Sequence, residues 1–274
     1  MNKFMKNTKN KLNNYIHENK VAFRVFVVSI IIIFVSLIID IFLQSNHQKI
    51  SGYLCNISTE FIGIIVTYIV IQNFIDKQKE NKEKQEELSK ILRYNGIVSI
   101  YLNYYKRFFY CVTTPIEKRN FENIKISETF ALKDMCDLYK MSLLTTSPLF
   151  KSSIELFYNY EQELRKVFEN MINNIEFKYF KDIQTVITKF INISLGLDVK
   201  DAILSNKDIL TGGKKFIDDV NEMLKSDYIE EHYKKFKQRT LGANAATIYF
   251  ILYDLMKSEL SIITRYENFI KTLK

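Results

Sequence analysis

The apolar and polar positions divide this chain into three stretches of different character. The first is an uncharged run, Val25–Ile39, reading VFVVSIIIIFVSLII with only two serines. Extended to Val21–Leu43 it is long enough to cross a bilayer as a helix, since about 20 helical residues span the hydrocarbon. A cleaved signal peptide shares its basic start, but the run is long and no small-residue cleavage site follows it. The second apolar run, Tyr53–Ile75, has a clean centre at Phe61–Ile71 and polar residues in its first third. An interfacial or re-entrant segment is the alternative to a second span.

Beyond Asp76 the pattern changes abruptly. The segment 77–90 holds one leucine among charged and amide residues, with Glu80 before Lys84 and Glu86 before Lys90 at the i,i+4 spacing of helical ion pairs. It predicts a solvated helical stalk that continues the second span. From Ile91, Tyr94, Val98, Tyr101, Tyr105, Phe108 and Val112 recur every three or four residues, which marks one face of a helix. Thr113-Thr114-Pro115 ends it, because proline breaks a helix and restrains the residue before it.

Further helices are predicted from capping and breaking residues. Ser127 is read as the N-cap of a helix through Leu144. Ser147-Pro148 is read as the cap and first-turn proline of an amphipathic helix through about Asn173. Phe177–Leu195 is a third helix, stopped by Gly196. After a break at Leu210–Gly213, Lys214–Lys225 is helical. From about Ala243 a last helix places Ile248, Leu252, Leu255, Ile262, Tyr266, Phe269 and Leu273 on one side. No segment alternates with period two for long and no repeat is evident. The predicted class is all-α, an N-terminal transmembrane helical hairpin followed by a cytoplasmic irregular bundle of six or seven helices. The division is a basic tail at 1–20, the hairpin at 21–76, the stalk at 77–90 and the helical domain at 91–274.

Composition agrees with long helices, since 274 residues include only 7 Gly and 2 Pro. The net charge of +8 is unevenly placed. Residues 1–24 carry six basic groups against Glu18, whereas 25–76 carry Lys49 against Asp40, Glu60 and Asp76. Lysines flank both outer ends of the apolar pair and the 45–52 connection is nearly bare. That asymmetry reads as a topology signal with both termini in the cytoplasm, in the inner or plasma membrane, rather than as a nucleic-acid footprint. Nucleic acid is not an expected partner; the bilayer is.

Candidate chemistry is sparse. Three cysteines, Cys55, Cys111 and Cys136, form no CxxC pair, so neither a disulfide framework nor a zinc site is expected. Only His17, His47 and His232 are present, which leaves Glu230-Glu231-His232 short of a histidine metal site. Thr211-Gly212-Gly213-Lys214-Lys215 lacks the earlier glycine and following Ser/Thr of a phosphate loop and reads as a turn. Glu161, Glu163 and Arg165 fall on what reads as an ordinary charged helix face. No cofactor, metal or catalytic constellation is expected.

The polar residues of the second span are the one unusual feature. Asn56, Thr59, Glu60 and Gly63 lie within two turns of each other in an apolar segment. Asp40 is read as reaching the interface. A carboxylate in lipid needs protein or water around it, so Glu60 is either an interhelical or pore-lining contact or a residue shallow enough to stay wet. Gly63 lets another helix approach closely. These four residues are the candidate contact for a homo-oligomer.

The string NISTEFIGIIVTYIVIQNFID, Asn56–Asp76, resembles the second half of membrane hairpins in uncharacterised bacterial two-span proteins, some of antiphage or abortive-infection effector type. The resemblance covers residues 25–76 and implies a membrane-tethered architecture. The functional expectation is a membrane-anchored effector or sensor whose helical cytoplasmic domain binds an unidentified protein or ligand and whose hairpins oligomerise. A non-enzymatic membrane scaffold, a channel-like oligomer and a membrane-tethered hydrolase are the alternatives.

Overall fold

The computed structural model describes residues 48–127, 129–142, 151–211, 213–242 and 244–273, with scattered helical positions between 27 and 42. Asp40, Ser147 and Pro148, to which the sequence assigned roles, lie outside the described residues. The protein is mostly helical, as its pattern predicts. It divides into two compact units, Met1–Lys82 and Glu83–Lys274.

Helix α1 runs from Gln48 to Thr113 and contributes to both units. Among the described residues it is the helix long and apolar enough, by length and composition, to cross a membrane. None of its apolar window is buried, and Ile64, Val70 and Phe74 are exposed.

In the second unit α1 docks through aromatic side chains. Tyr105 packs 5.5 Å from Phe157 and 6.4 Å from Phe190, and Tyr104 stacks on Tyr160 at 4.9 Å. Val98, Tyr105, Phe108 and Val112 are buried, so the three-to-four spacing marks a core face. The helix ends before Pro115, and Arg119 caps it. The guanidinium donates from Nη2 to the Cys111 carbonyl (2.6 Å) and from Nε to that of Thr114 (2.9 Å), satisfying carbonyls that lack intrahelical partners.

Among the described residues no helix starts at Ser127; residues 127 and 129–142 instead form irregular backbone around a 3-10 turn at Leu132–Met135. The Ser127 hydroxyl accepts from its neighbour Thr129 N, a local bond that competes with helix capping. Asp134 accepts from Ala131 N, and Asp137 reaches across to Ile116 N.

Helix α2, Ser153–Asn174, opens on a capping box. The Ser152 hydroxyl accepts from Glu155 N while the Glu155 carboxylate takes Ser152 N at 2.7 Å. This S-x-x-E signature, rather than Ser147-Pro148, fixes the helix start. Helix α3, Lys181–Gly196, starts four residues after the predicted Phe177. Phe177 is buried and takes φ 51°, a left-handed turn that reverses the chain and cannot belong to a helix.

Two short helices went unread, α4 at Lys200–Ser205 and α6 at Ile229–Lys237. Between them, Leu210–Thr211 and Lys214–Lys215 pair antiparallel as β1 and β2, with Gly213 at φ 81° in the turn. The predicted helix there therefore begins later, as α5 at Phe216–Lys225. The last helix, α7, is Thr247–Thr272. It packs most extensively on α3, and α2 packs on α3 in turn.

A buried carboxyl pair as candidate functional site

Two glutamates sit where the helix stripes call for apolar residues. On α2, Glu161 falls in phase with Phe157, Leu164 and Phe168, all buried. On α7, Glu259 falls in phase with Leu255, Ile262 and Ile263. Glu259 is 0% exposed and Glu161 3%. Glu161 thus belongs to the core rather than to a solvated charged face, contrary to the sequence reading of its helix. A carboxylate at such a place requires partners or a proton.

The partners come from the other main helices. Tyr105 of α1 donates its hydroxyl to Glu259 Oε2 at 2.8 Å. The Ser194 hydroxyl of α3 donates to Glu161, and Arg165 Nη1 donates to the Ser194 oxygen at 2.8 Å. Arg165 itself stands 4.0 Å from Glu161 and 3.8 Å from Glu169. Glu259 Oε1 and the Tyr158 hydroxyl are among the four buried side-chain polar atoms that have no hydrogen-bond partner among the described residues, the others being Asn221 Oδ1 and Glu230 Oε1.

The electrostatics separate the two acids. Burial pushes the Glu259 carboxyl well above the usual carboxylate range, and the neighbouring Glu161 charge pushes it further. Burial also raises Glu161, but Ser194, Arg165 and, more weakly, Lys200 oppose the rise. Both carboxyls are thus pushed up, Glu259 further than Glu161. Tyr105 stays protonated, raised by burial and by both carboxylates. Chemically the arrangement gathers two buried carboxyls, with their charged forms disfavoured, at the junction of α1, α2, α3 and α7.

A second polar junction ties the start of the second unit to α3. The α3 N-terminus has no cap from its own N-cap residue, Phe180. The Glu87 carboxylate of α1 fills that role, accepting from Tyr179 N (3.2 Å) and Phe180 N (3.1 Å). One turn earlier on α1, Glu83 pairs with Lys178 at 2.7 Å and accepts from the Tyr179 hydroxyl at 2.9 Å. Glu87 is only 8% exposed, so this part of the predicted solvated stalk is packed.

The residues singled out in the second apolar run all lie on α1 in the first unit. Asn56, Thr59, Glu60 and Gly63 stand at i, i+3, i+4 and i+7, which places them on one helical face. All four are exposed, and a Cβ added at Gly63 meets nothing within 4 Å. Glu161 and Glu259 belong to the other unit. Among the described residues no group of three His, Cys, Asp or Glu side chains converges as metal ligands. The chain matches no family model, no curated protein and no solved structure.

Proposed function

We propose that this chain is a membrane-anchored effector or sensor, of the antiphage type its hairpin resembles, with a cytoplasmic helical domain that reports a bound partner or ligand to the hairpin. The observation that carries the reading is that none of the apolar window of α1 is buried. Burying an isoleucine or phenylalanine side chain is worth roughly 1.5–3 kcal/mol. A run of such residues left bare demands lipid or another copy of the chain.

The same helix supplies Glu83, Glu87 and Tyr105 to the polar junctions of the bundle. A shift in bundle packing therefore bears directly on the helix that holds the apolar window. The stripe Asn56, Thr59, Glu60 and Gly63 gives the hairpins a face for self-association, since polar groups in lipid are stable only with partners or water.

Topology is the test. Cys111 and Cys136 are buried, and burial pushes the Cys111 thiol up to about 11, so native thiols report poorly on sidedness. Single reporters at Ser45→Cys and Lys189→Cys replace them in a cysteine-free chain. A membrane-impermeant maleimide on intact cells labels the first and misses the second until lysis. Labelling of Lys189→Cys from outside, or of neither before lysis, contradicts the reading.

A further inference from the structure

A cleft lies between α1, α7 and the loop at 120–126. Its volume is about 600 Å³, within the range of small-molecule sites, roughly 300–1,000 Å³. We propose that this cleft binds a small organic phosphate carrying a planar ring. The inference goes beyond the membrane reading and does not depend on it.

Charge is the first argument. Lys106 and Glu267 line the cleft and neutralise each other, Nζ standing 2.6 Å from both carboxylate oxygens. Arg107 and Lys271 remain, both exposed, and neither makes an ion pair or hydrogen bond with a described residue. Glu122 is the opposing charge. A phosphate monoester brings about −1.5 to −2, which suits one planar guanidinium fork and one ammonium. The carboxylates of Glu122 and Glu267 stand against a polyanion, so a nucleic-acid backbone does not fit the same groove.

Shape is the second argument. The loop side of the cleft presents Phe121, 37% exposed, with Ile124 and Ile126 beside it and Glu122 between them. That wall is held in place. Asn120 N donates to the Tyr110 hydroxyl at 2.7 Å, and the Asn120 side chain accepts from Glu122 N and Asn123 N at 3.0 and 3.2 Å. Tyr110 is itself buried on α1. A fixed aromatic edge beside unpaired cations is a preorganised place for a ring and its phosphate, and preorganisation removes part of the entropic cost of binding.

The experiment is calorimetric titration of the purified full chain with adenosine monophosphate, inorganic phosphate and adenosine. Adenosine monophosphate binds saturably, phosphate binds more weakly, and adenosine more weakly than the nucleotide. Arg107→Glu and Lys271→Glu each weaken nucleotide binding about tenfold or more. Lys189→Glu, an equal charge change on exposed α3 surface, leaves it unchanged. Phe121→Ala weakens the nucleotide and spares inorganic phosphate. Absence of saturable binding at millimolar nucleotide, binding that survives both charge reversals, or an equal loss with Lys189→Glu overturns the proposal. Equal loss of phosphate and nucleotide with Phe121→Ala overturns the ring-binding part.

Discussion

Glu259 concentrates the physical question at the scale of single residues. Its carboxyl is fully buried, receives a hydrogen bond from Tyr105, and faces a second acid. In the unfolded chain a glutamate ionises near about 4.3. Its folded value is raised, so the stability it contributes is fully present below the unfolded value and is lost as pH rises through the folded one. Glu259→Gln keeps an acceptor for Tyr105 and cannot ionise. The melting temperature of the variant relative to the parent should therefore climb as pH rises above about 4.3 toward the raised folded value; a difference that stays flat with pH contradicts a proton held by the buried carboxyl. Glu259→Leu strands the Tyr105 hydroxyl instead, at about 1–3 kcal/mol with little dependence on pH. A trace of this site was legible in the chain, since Glu161 and Glu259 both fall in phase with apolar stripes. Their pairing was not, because it depends on α2 and α7 meeting across the core, which no local spacing encodes.

Among elements, those set by local chemistry were readable. The α1 stripe and the proline stop after Thr113 each follow from a few neighbouring residues, whereas α3 ends at Gly196 without a left-handed glycine cap, its C-cap being Leu197. Elements decided by competition were not. Ser127 and Ser152 are both plausible caps, but only Ser152 has a glutamate three residues on to complete the box. The cap on α3 was invisible for another reason, since it comes from Glu87 on a different helix. Its removal by Glu87→Ala should cost about 0.5–2 kcal/mol and speed amide exchange at Tyr179 and Phe180 while leaving the end of α2 unchanged. Equal exchange at those amides would show that the carboxylate does not hold them. On the first unit's part of α1, Glu60→Leu should preserve insertion and change the crosslinked oligomer size, with loss of any growth toxicity on overexpression. Glu60→Gln should be milder because it retains hydrogen-bonding capacity. Parent-like behaviour of both variants would leave the hairpin as a tether alone.

For the whole molecule, the helical class was legible in the scarcity of glycine and proline and in the persistence of three-to-four periodicity. The bundle's shape was not, because short helices such as α4 and α6 are fixed by packing more than by propensity. The account rests on one division of labour: an apolar unburied segment that we propose lies in lipid, and a unit from Glu83 onward with a core of its own. Alkaline carbonate extraction of cell membranes, applied to the full chain and to a fragment beginning at Lys77, addresses both halves together. The full chain should remain in the membrane pellet, and the fragment should appear in the soluble fraction, helical and melting cooperatively. Release of the full chain by carbonate, or a fragment that stays with the membrane or fails to fold without detergent, would contradict the account.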